Sequence, residues 1–511
     1  MISARRKVTA CFDGILDLLQ GMEAPKWATE LTGALAPVTP AEKIELTVKS
    51  GQVPADLSGA YLRIGPNAQF WPPRKRTHAF DGDGMVHSVR FSQGKASYHC
   101  RFMETPRYLF EKAYGGEYFL RVGEMTGLVG LAKILTTAPK KMKLSGLRGD
   151  YDTGAANTAI GFTPDGKLWA LNEGGAPFQF TLDKDGVPRS IGFDTLQDTL
   201  KETISAHPKI DMRTGEIFFH GRKMGEKFYG GRIVDGKLVE RVDIPMEIHG
   251  FHHDMFITEN YMVIVDGAMT FTPQEIVKGK PLWNFDKDKK LRFGIFPRSQ
   301  KMTPEALTWV EADEAVEIVH TCYAYDDAGK IVLWSPVGEH AEGKVDGILG
   351  GMGSPYMRRV VIDVNKKSVE IQKVEGGDTY GTEFPRIRDD RVGQKVRYGY
   401  SGIQSPGPDF NFTGILKWDF ESSKLDKVIK YREGTVGGEP VFLPRQGSTE
   451  DDDGYIGMFL WNQKTLESTF AVYDAKSFQE TPLVEFLVPR RVPIGFHAAW
   501  ITEAQFQQQL Q

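Results

Sequence analysis

The sequence predicts a large all-β protein. Short apolar runs alternate with turn signals from Gly59 almost to the end of the 511-residue chain. Many of these turns contain an Asx-Gly pair, which is typical of hairpins when β-branched or aromatic runs flank it. Repeated hairpins in a chain of this length favour a sandwich, a barrel or a propeller, and seven four-stranded propeller blades would use roughly 70 residues each.

Individual strands are predicted where an apolar run lies between two such turns. The predicted turns are 163–166, 183–187, 211–215, 235–236, 326–329 and 452–454. The predicted strands are 168–171, 216–219, 261–265, 330–334 and 455–461.

Composition excludes several classes of protein. The net charge is -4 and no long basic run is present, which argues against a nucleic-acid partner. Cys11, Cys100 and Cys322 are far apart and form no CxxC motif, so free thiols in a reducing compartment are expected. No apolar run is long enough for a transmembrane helix and no secretory h-region opens the chain. We therefore expect a cytoplasmic or plastid protein that is not secreted.

The chain is predicted to consist of an N-terminal extension, 1–43, and a single catalytic domain, 44–511. Residues 8–20 of the extension have helical spacing, with Phe12, Ile15, Leu16 and Leu19 on one face and Asp13 and Asp17 off it. This helix either packs on the body or lies in a membrane interface with its basic end among lipid head groups. A plastid transit peptide is a further interpretation, although the segment is short and poor in serine.

One segment, 117–145, breaks the β pattern. It contains an apolar helical stretch from Leu128 to Leu135, followed by Lys140, Lys141 and Lys143. An excursion from a β body is often a lid or docking element. Apolar residues beside lysines suit the surface of an anionic membrane, and packing on the body is the alternative.

Histidines supply the first indication of chemistry. Three of the chain's 11 histidines, His249, His252 and His253, lie just before the strand predicted at 261–265. Neighbouring side chains on a strand point to opposite faces, so His252 and His253 cannot both face one centre. We expect His253, which Asp254 follows, to be the one that binds a metal.

Three other histidines are candidates for the same centre: His207, His320 and His497. With His253 they are too widely spaced for a local zinc motif, but a closed radial fold could bring one ligand from each of several blades to a common axis. Neutral imidazoles suit iron, copper, zinc and nickel, and four of them leave two octahedral positions open.

Glutamates could orient these imidazoles. A carboxylate that accepts the second N–H of a ligand histidine fixes its tautomer and offsets part of the metal's charge. The candidates, in apolar or glycine-rich settings, are Glu173, Glu383 and Glu439. Which glutamate orients which histidine is left open by the sequence.

Ordered motifs along nearly the whole chain from about residue 44 resemble the carotenoid cleavage oxygenase family. That family includes plant carotenoid and apocarotenoid dioxygenases and the lignostilbene dioxygenases. The matching stretches are Tyr61–Asn67, Phe80–His87, Asn157–Thr158, Ala206–Lys209, His253–Asp254, Ile257–Asn260, Arg292–Gly294, Gly438–Pro440, Asp452–Tyr455 and Val492–His497.

The resemblance implies a seven-bladed β-propeller with a helical cap over a hydrophobic tunnel. It implies non-haem Fe(II) held by His207, His253, His320 and His497, with Glu173, Glu383 and Glu439 behind them and Thr158 near an open iron position. It further implies that O2 adds across a C=C bond of a carotenoid or apocarotenoid and yields two carbonyl products. No separate general acid or base is expected.

Three alternatives stay open at this stage. The enzyme could cleave a hydroxystilbene-type phenylpropanoid, which requires polar groups for a phenol, and Tyr108 and Lys112 lie in the region where these are expected. It could be an isomerase with the same iron site. It could also be a metal-free propeller that binds partners.

Overall fold

A computed structural model describes residues 2–21, 33–223, 227–246, 250–271, 273–342, 349–405 and 411–510. These residues form mainly antiparallel sheets. The first five strands are β1 Ala41–Glu45, β2 Thr47–Gly51, β3 Gly59–Asn67, β4 Asp83–Ser92 and β5 Lys95–Phe102. Strands β6 to β9 are Ala159–Phe162, Leu168–Leu171, Phe178–Leu182 and Pro188–Phe193. Strands β10 to β13 are Lys209–Asp211, Glu216–Lys223, Lys227–Val234 and Lys237–Ile244.

The second half continues the same pattern. Strands β14 to β19 are Met255–Ile257, Tyr261–Asp266, Met269–Phe271, Trp283–Phe285, Arg292–Pro297 and Thr308–Glu311. Strands β20 to β24 are Tyr323–Asp327, Lys330–Val337, Leu349–Gly350, Tyr356–Asp363 and Ser368–Lys373. Strands β25 to β29 are Thr382–Arg386, Tyr398–Gln404, Phe412–Asp419, Lys424–Lys430 and Thr435–Gly437. Strands β30 to β34 are Val441–Pro444, Gly454–Asn462, Glu467–Asp474, Val484–Val488 and Ala498–Thr502.

Helical segments lie mostly near the N-terminal third. The helices are α1 Ile2–Gly21, α2 Pro106–Tyr114, α3 Gly127–Ala132, α4 Ala138–Ser145, α5 Asp150–Thr153, α6 Pro273–Val277 and α7 Glu503–Gln509. A π-helical turn, Lys133–Thr137, joins α3 to α4. Short 3-10 turns are Gly33–Leu35, Val122–Glu124, Pro304–Ala306 and Asp389–Arg391.

The sheets form the seven blades of a β-propeller. Blade 1 has the order β34-β3-β4-β5-β1, and blades 2 and 3 are β6 to β9 and β10 to β13. Blade 4 is β14-β15-β18-β19 and blade 5 is β20-β21-β23-β24. Blades 6 and 7, β25 to β28 and β30 to β33 with β2, are joined through β29 into one sheet. A small sheet, β16-β17-β22, lies outside the blades.

Packing between the blades closes the ring. The described residues contain a hydrophobic cluster between every pair of consecutive blades. The cluster between blades 7 and 1 includes Tyr61, Phe459 and Phe470. The C-terminal strand β34 pairs with β3 near the N-terminus, so both chain ends contribute to blade 1. This closed ring confirms the predicted seven-bladed propeller.

The strands predicted from sequence are present, several of them longer than expected. Strand β7 coincides with the predicted 168–171, whereas β11 and β21 extend past 219 and 334 to Lys223 and Val337. The extension occurs because each blade packs between two neighbours, so a central strand is buried on both faces. Strand β3, for example, is almost completely buried. Hydrophobic runs in such strands give little indication of where the strand ends.

Helix α1 packs through a polar face, which differs from the amphipathic interpretation. Asp13, Leu16 and Gln20 are buried, whereas Phe12, Ile15 and Leu19 are about half exposed. The helix does pack on the body, as one of the two interpretations had it, but three of the four residues of the predicted apolar face are not buried there. The sequence could not reveal this, because the partners of the acidic residues lie in distant segments.

Those partners are buried lysines. Lys141 Nζ lies 2.5 Å and Lys75 Nζ 3.0 Å from Asp13 Oδ2, and Lys133 Nζ lies 2.5 Å from Asp17 Oδ1. Glu124 completes the network, 3.1 Å from Lys75 and 2.8 Å from Lys133. Lys141 is thus an internal ion-pair partner, and of the three lysines predicted at the surface only Lys140 and Lys143 are exposed.

We expect Asp13→Asn to loosen α1 from the body. The change leaves the buried Lys141 and Lys75 without one carboxylate, and breaking a buried pair from one side costs about 3–5 kcal/mol. Hydrogen exchange should accelerate in 9–20 and not in the blades. Glu467→Gln, which removes only an exposed pair with Lys49, is the control. Unchanged exchange in α1 would contradict the anchoring role.

Candidate metal centre

Four imidazoles meet on the propeller axis. The Nε2 atoms of His207 and His253 are 3.0 Å apart, and those of His253 and His320 are 3.1 Å apart. With His497 they place one potential ligand atom each within 4.8 Å of one another. The four candidates from the sequence are thus brought together.

Each of these histidines precedes the edge strand of a different blade. His207 comes before β10, His253 before β14, His320 before β20 and His497 before β34. These strands occupy the same edge of their sheets in blades 3, 4, 5 and 1. Since the four rings meet, this edge faces the axis, and the sheet fixes each ring in position.

Carboxylates from the remaining blades hold the other ring nitrogen of three histidines. His320 Nδ1 lies 2.7 Å from Glu383 Oε2, and His497 Nδ1 lies 2.9 Å from Glu439 Oε1. His253 Nδ1 lies 3.1 Å from Glu173 Oε1, within ion-pair distance but without the geometry of a hydrogen bond. These distances show which glutamate lies beside which histidine, a question that the sequence left open. Among the described residues, none places a carboxylate within ion-pair distance of His207.

The three glutamates lie in blades 2, 6 and 7, so every blade contributes to the centre. Glu439 Oε2 also accepts the backbone N–H of Ala498 at 2.6 Å and lies 3.4 Å from Arg386 Nη1. Glu173 Oε1 accepts the backbone N–H of Ala206 at 3.2 Å. Glu439 is therefore tied to the backbone beside His497, the histidine that it orients, and Glu173 is tied to the backbone beside His207.

Burial keeps His207 and His497 neutral. Desolvation lowers the pKa of His207 well below its ordinary value, and the other three imidazoles lower it further. Desolvation also lowers the pKa of His497, although Glu439 partly offsets it. For His320 burial acts in the same direction, but the Glu383 carboxylate outweighs it and the pKa is raised. Neutral imidazoles are the form that binds metals.

The donor set fits a divalent transition metal. Carboxylates that accept from Nδ1–H leave the Nε2 lone pairs directed at the common centre. Four nitrogen donors with no carboxylate among them suit iron, copper, zinc or nickel and do not suit magnesium or calcium. The centre can thus hold a redox-active or Lewis-acidic metal with positions left for other ligands.

Thr158 occupies in blade 2 the place that the histidines occupy in theirs. It immediately precedes β6, and its backbone carbonyl accepts the N–H of His497 at 3.2 Å. Its hydroxyl donates to Asn157 Oδ1 at 3.0 Å, and Asn157 Nδ2 donates to the carbonyl of Gly82 at 2.9 Å. The hydroxyl of Thr158 is thereby held in one orientation, and its position relative to the metal stays a prediction.

Sequence analysis missed a buried ion pair that links three blades near the centre. Lys209 Nζ lies 2.7 Å from Asp254 Oδ1, and Asp254 Oδ2 accepts from the N–H and Oγ1 of Thr321 at 2.8 and 2.9 Å. Burial raises the pKa of Asp254, but Lys209 and these hydrogen bonds more than offset it, so the pKa lies below the ordinary 3.8. Each of the three residues adjoins or nearly adjoins a clustered histidine.

We expect Lys209→Met to lower the free energy of unfolding by about 3 kcal/mol, because it leaves the Asp254 carboxylate buried without its cation. A carboxyl with a lowered pKa stabilises the fold above its ordinary pKa, and that stabilisation is lost as the pH falls below it. Chemical denaturation at pH 7 measures the loss. The double variant Lys209→Met with Asp254→Asn should recover part of it, and an unchanged midpoint in the single variant would contradict the prediction.

The other described histidines lie outside the cluster: His78, His87, His99, His220, His252 and His340. His252 Nε2 lies 3.1 Å from Asp266 Oδ1, so the His252 ring is directed away from the four-histidine cluster, as predicted, although both His252 and His253 precede β14 and are not part of a strand. His249 lies outside the described residues. Tyr108 and Lys112 lie on α2, where the Lys112 ammonium is 5.5 Å from the Tyr108 ring.

No described helix is long and apolar enough to cross a membrane. The described cysteines Cys11, Cys100 and Cys322 are free thiols.

Residues 35–502 match the family model described as "Retinal pigment epithelial membrane protein". Carotenoid 9,10(9',10')-cleavage dioxygenase 1 of Pisum sativum is 33% identical over 94% of this chain and 91% of that protein. The chloroplastic 9-cis-epoxycarotenoid dioxygenase NCED6 of Arabidopsis thaliana is 31% identical over 94% of this chain and 83% of that protein.

Solved structures share the fold. Lignostilbene dioxygenase of Pseudomonas brassicacearum superposes with a TM-score of 0.78 at 23% identity, covering 94% of this chain and 99% of that one. A variant of Synechocystis apocarotenoid oxygenase superposes with a TM-score of 0.74 at 23% identity, covering 91% of this chain and 97% of that one.

Proposed function

The chain belongs to the carotenoid cleavage dioxygenase family, and on that basis we propose that it is a non-haem Fe(II) enzyme that splits a C=C bond of a carotenoid or apocarotenoid. O2 supplies both oxygen atoms, and each carbon of the broken double bond becomes a carbonyl carbon. The observation that carries the proposal is the convergence of four imidazoles, three of which have a carboxylate oxygen within 3.1 Å of the second ring nitrogen.

His207, His253, His320 and His497 would hold the iron, and Glu173, Glu383 and Glu439 would orient three of them. When bound there, Fe(II) would supply the redox chemistry that allows O2 to react with a polyene. The protein's part is to disfavour protonation of His207 and His497, which burial does, and to direct the imidazoles, which the carboxylates do. No acid or base is required, since the net reaction moves no proton.

The relatives support a polyene substrate and suggest which bond is cut. Proteins named carotenoid 9,10(9',10')-cleavage dioxygenase are 32–33% identical to this chain. We propose cleavage at a 9,10 double bond as the specific reaction. Relatives named chloroplastic are 30–31% identical, which supports a plastid location for this chain.

We propose that the enzyme docks on a membrane through exposed apolar residues of its helical segments. This helical patch consists of Phe12, Ile15, Leu18 and Leu19 on α1, Leu128 on α3 and Leu135 in the π-helical turn, which are between 45% and 74% exposed. Helix α1 is held against α3, the π-helical turn and α4. The exposed Lys140 and Lys143 follow on α4 and suit anionic head groups.

Vesicle sedimentation tests the docking proposal. Leu18→Asp with Leu135→Asp should abolish binding to phosphatidylglycerol vesicles, because it places two charges in the apolar patch. Leu466→Asp alters an equally exposed leucine in the hairpin between β31 and β32 and should leave binding unchanged. Equal binding by all three proteins would refute the assignment of the patch.

Substrate turnover tests the main proposal. Fe(II)-loaded enzyme is given, under air, full-length carotenoids, shorter apocarotenals and a hydroxystilbene, and the loss of visible absorbance is followed with products identified by mass. We expect two carbonyl fragments from a polyene cut at the 9,10 bond. If only the stilbene were cleaved, the substrate would be a phenolic compound, for which the Tyr108–Lys112 pair supplies polar groups. Geometric isomers without fragments would indicate an isomerase, and failure to bind iron would revive the scaffold interpretation.

A further inference from the structure

Phe384 has a backbone conformation that a phenylalanine rarely adopts. Its φ is +52°, in the left-handed region that favours glycine, and it immediately precedes Pro385, which normally restricts the preceding residue to extended backbone. The residue is 3% exposed. Such strain persists only where the surrounding structure imposes it, and it concentrates at functional sites.

A β-bulge imposes it here. Glu383 pairs with Gly402 and Arg386 pairs with Tyr400, so Phe384 and Pro385 stand opposite a single residue, Ser401. The bulge class with a left-handed first residue usually has glycine there. Glycine at this position would remove the strain, yet the chain has an aromatic ring.

The bulge directs two adjacent side chains at the metal centre. In a regular strand Glu383 and Phe384 would point to opposite faces. Instead the Glu383 carboxylate reaches His320 Nδ1, and the Phe384 ring centroid lies 5.3 Å from that of His320 and 4.8 Å from that of His497. The N–H of Phe384 donates to Glu383 Oε2 at 2.8 Å, which fixes the carboxylate as well.

A second ring supports Phe384 from behind. The Phe412 ring lies 5.0 Å from that of Phe384. It can approach because residue 402 is glycine: a Cβ there would lie 2.3 Å from the Phe412 ring. Phe384 thus contacts both Phe412 and the two clustered histidines, His320 and His497. The ring centroids of these histidines are 4.8 Å apart, and their ring planes are inclined by 73°.

We propose that Phe384 is a positioning residue of the metal centre, whose ring sets the relative orientation of the His320 and His497 imidazoles. The strained bulge is retained because it places this ring and the Glu383 carboxylate on the same side. The inference rests on the proposed function insofar as the four histidines bind a metal. It predicts that the ring affects metal retention and geometry more than it affects folding.

Three substitutions separate the ring from the backbone. Phe384→Leu keeps a large apolar side chain but removes the flat ring. Phe384→Ala and Phe384→Gly also remove the ring, and they differ because glycine tolerates a positive φ and alanine does not. Phe178→Leu, at a buried phenylalanine of β8 in blade 2, is the control. The Gly variant should melt at a higher temperature than the Ala variant in the metal-free form, since only glycine relieves the strain.

Two readouts report on the metal. With Co(II)-loaded protein, the visible absorption bands should shift in all three Phe384 variants and not in Phe178→Leu. Transfer of Fe(II) or Co(II) to a chelator should be at least about tenfold faster than in the wild type, as for other residues that orient ligands. Phe384→Tyr, which keeps the ring, should release metal at close to the wild-type rate if it folds.

The outcomes are distinguishable. Wild-type spectra and release rates in Phe384→Leu and Phe384→Gly would show that the ring only fills space, and the inference would fail while the metal site stands. A wild-type protein that retains neither Fe(II) nor Co(II) would instead refute the proposed function itself. Equal melting temperatures for the Ala and Gly variants would contradict the strained bulge.

Discussion

His497→Ala should lose its metal and its activity while the propeller stays folded. The change removes one of four nitrogen donors, and we expect both metal affinity and kcat/KM to fall by more than the ~100-fold that loss of an outer partner costs. The fold should survive because Glu439 keeps the N–H of Ala498 and the Arg386 guanidinium as partners. Metal content by elemental analysis, polyene turnover and the melting temperature of the metal-free protein are the measurements.

A second buried histidine controls for the loss of an imidazole. His99 is fully buried on β5 of blade 1, and its Nε2 lies 3.2 Å from Ser97 Oγ, outside the cluster. His99→Ala should bind metal stoichiometrically even if its melting temperature falls. Wild-type turnover in His497→Ala would exclude His497 from the metal centre.

Glu439→Gln should weaken metal binding by about 10–100-fold, the usual effect of altering the group that orients a ligand histidine. Glu439 accepts from both His497 Nδ1 and the N–H of Ala498. Glutamine has only one acceptor oxygen, so it can satisfy one of them and turns its amide N–H2 toward the other or toward Arg386. The metal dissociation constant, measured by competition with a chelator, should rise accordingly.

Glu485→Gln is the matched control for this variant. Glu485 is a buried carboxylate of the same blade, where it accepts from Thr469 Oγ1 at 2.9 Å and pairs with Arg432. Its replacement can affect stability but should leave the metal dissociation constant unchanged. Equal metal affinity in the two variants would mean that Glu439 does not orient His497.

Much of the architecture was predictable because β structure has local signals. Asx-Gly turns and short apolar runs indicated hairpins, and β7 and β15 lie where the pattern placed them. The spacing of His207, His253, His320 and His497 was consistent with a radial fold, since such a fold brings distant strand ends to one axis. The blade number and the expectation that the metal is Fe(II) came from resemblance, because hairpin spacing alone fits sandwiches and barrels as well and histidines alone suit several metals.

Other features depend on contacts between distant segments and have no local signal. The pairing of Glu173, Glu383 and Glu439 with particular histidines is set by how seven blades meet at the axis. Helix α1 illustrates the same limit: its spacing defines an apolar face, but Lys75 and Lys141 attract Asp13 and turn that face outward.

The sequence by itself determined the residue types of the centre and the strands that carry them, because hydrophobic period, turn chemistry and histidine placement are local properties. Only the tertiary structure decided which side chains meet. Phe384 shows why: its chain neighbours predict extended backbone, and the bulge in β25 with the close approach of Phe412 over Gly402 overrides that preference. Packing between segments that are separated in the chain supplies the free energy that holds Phe384 in this conformation.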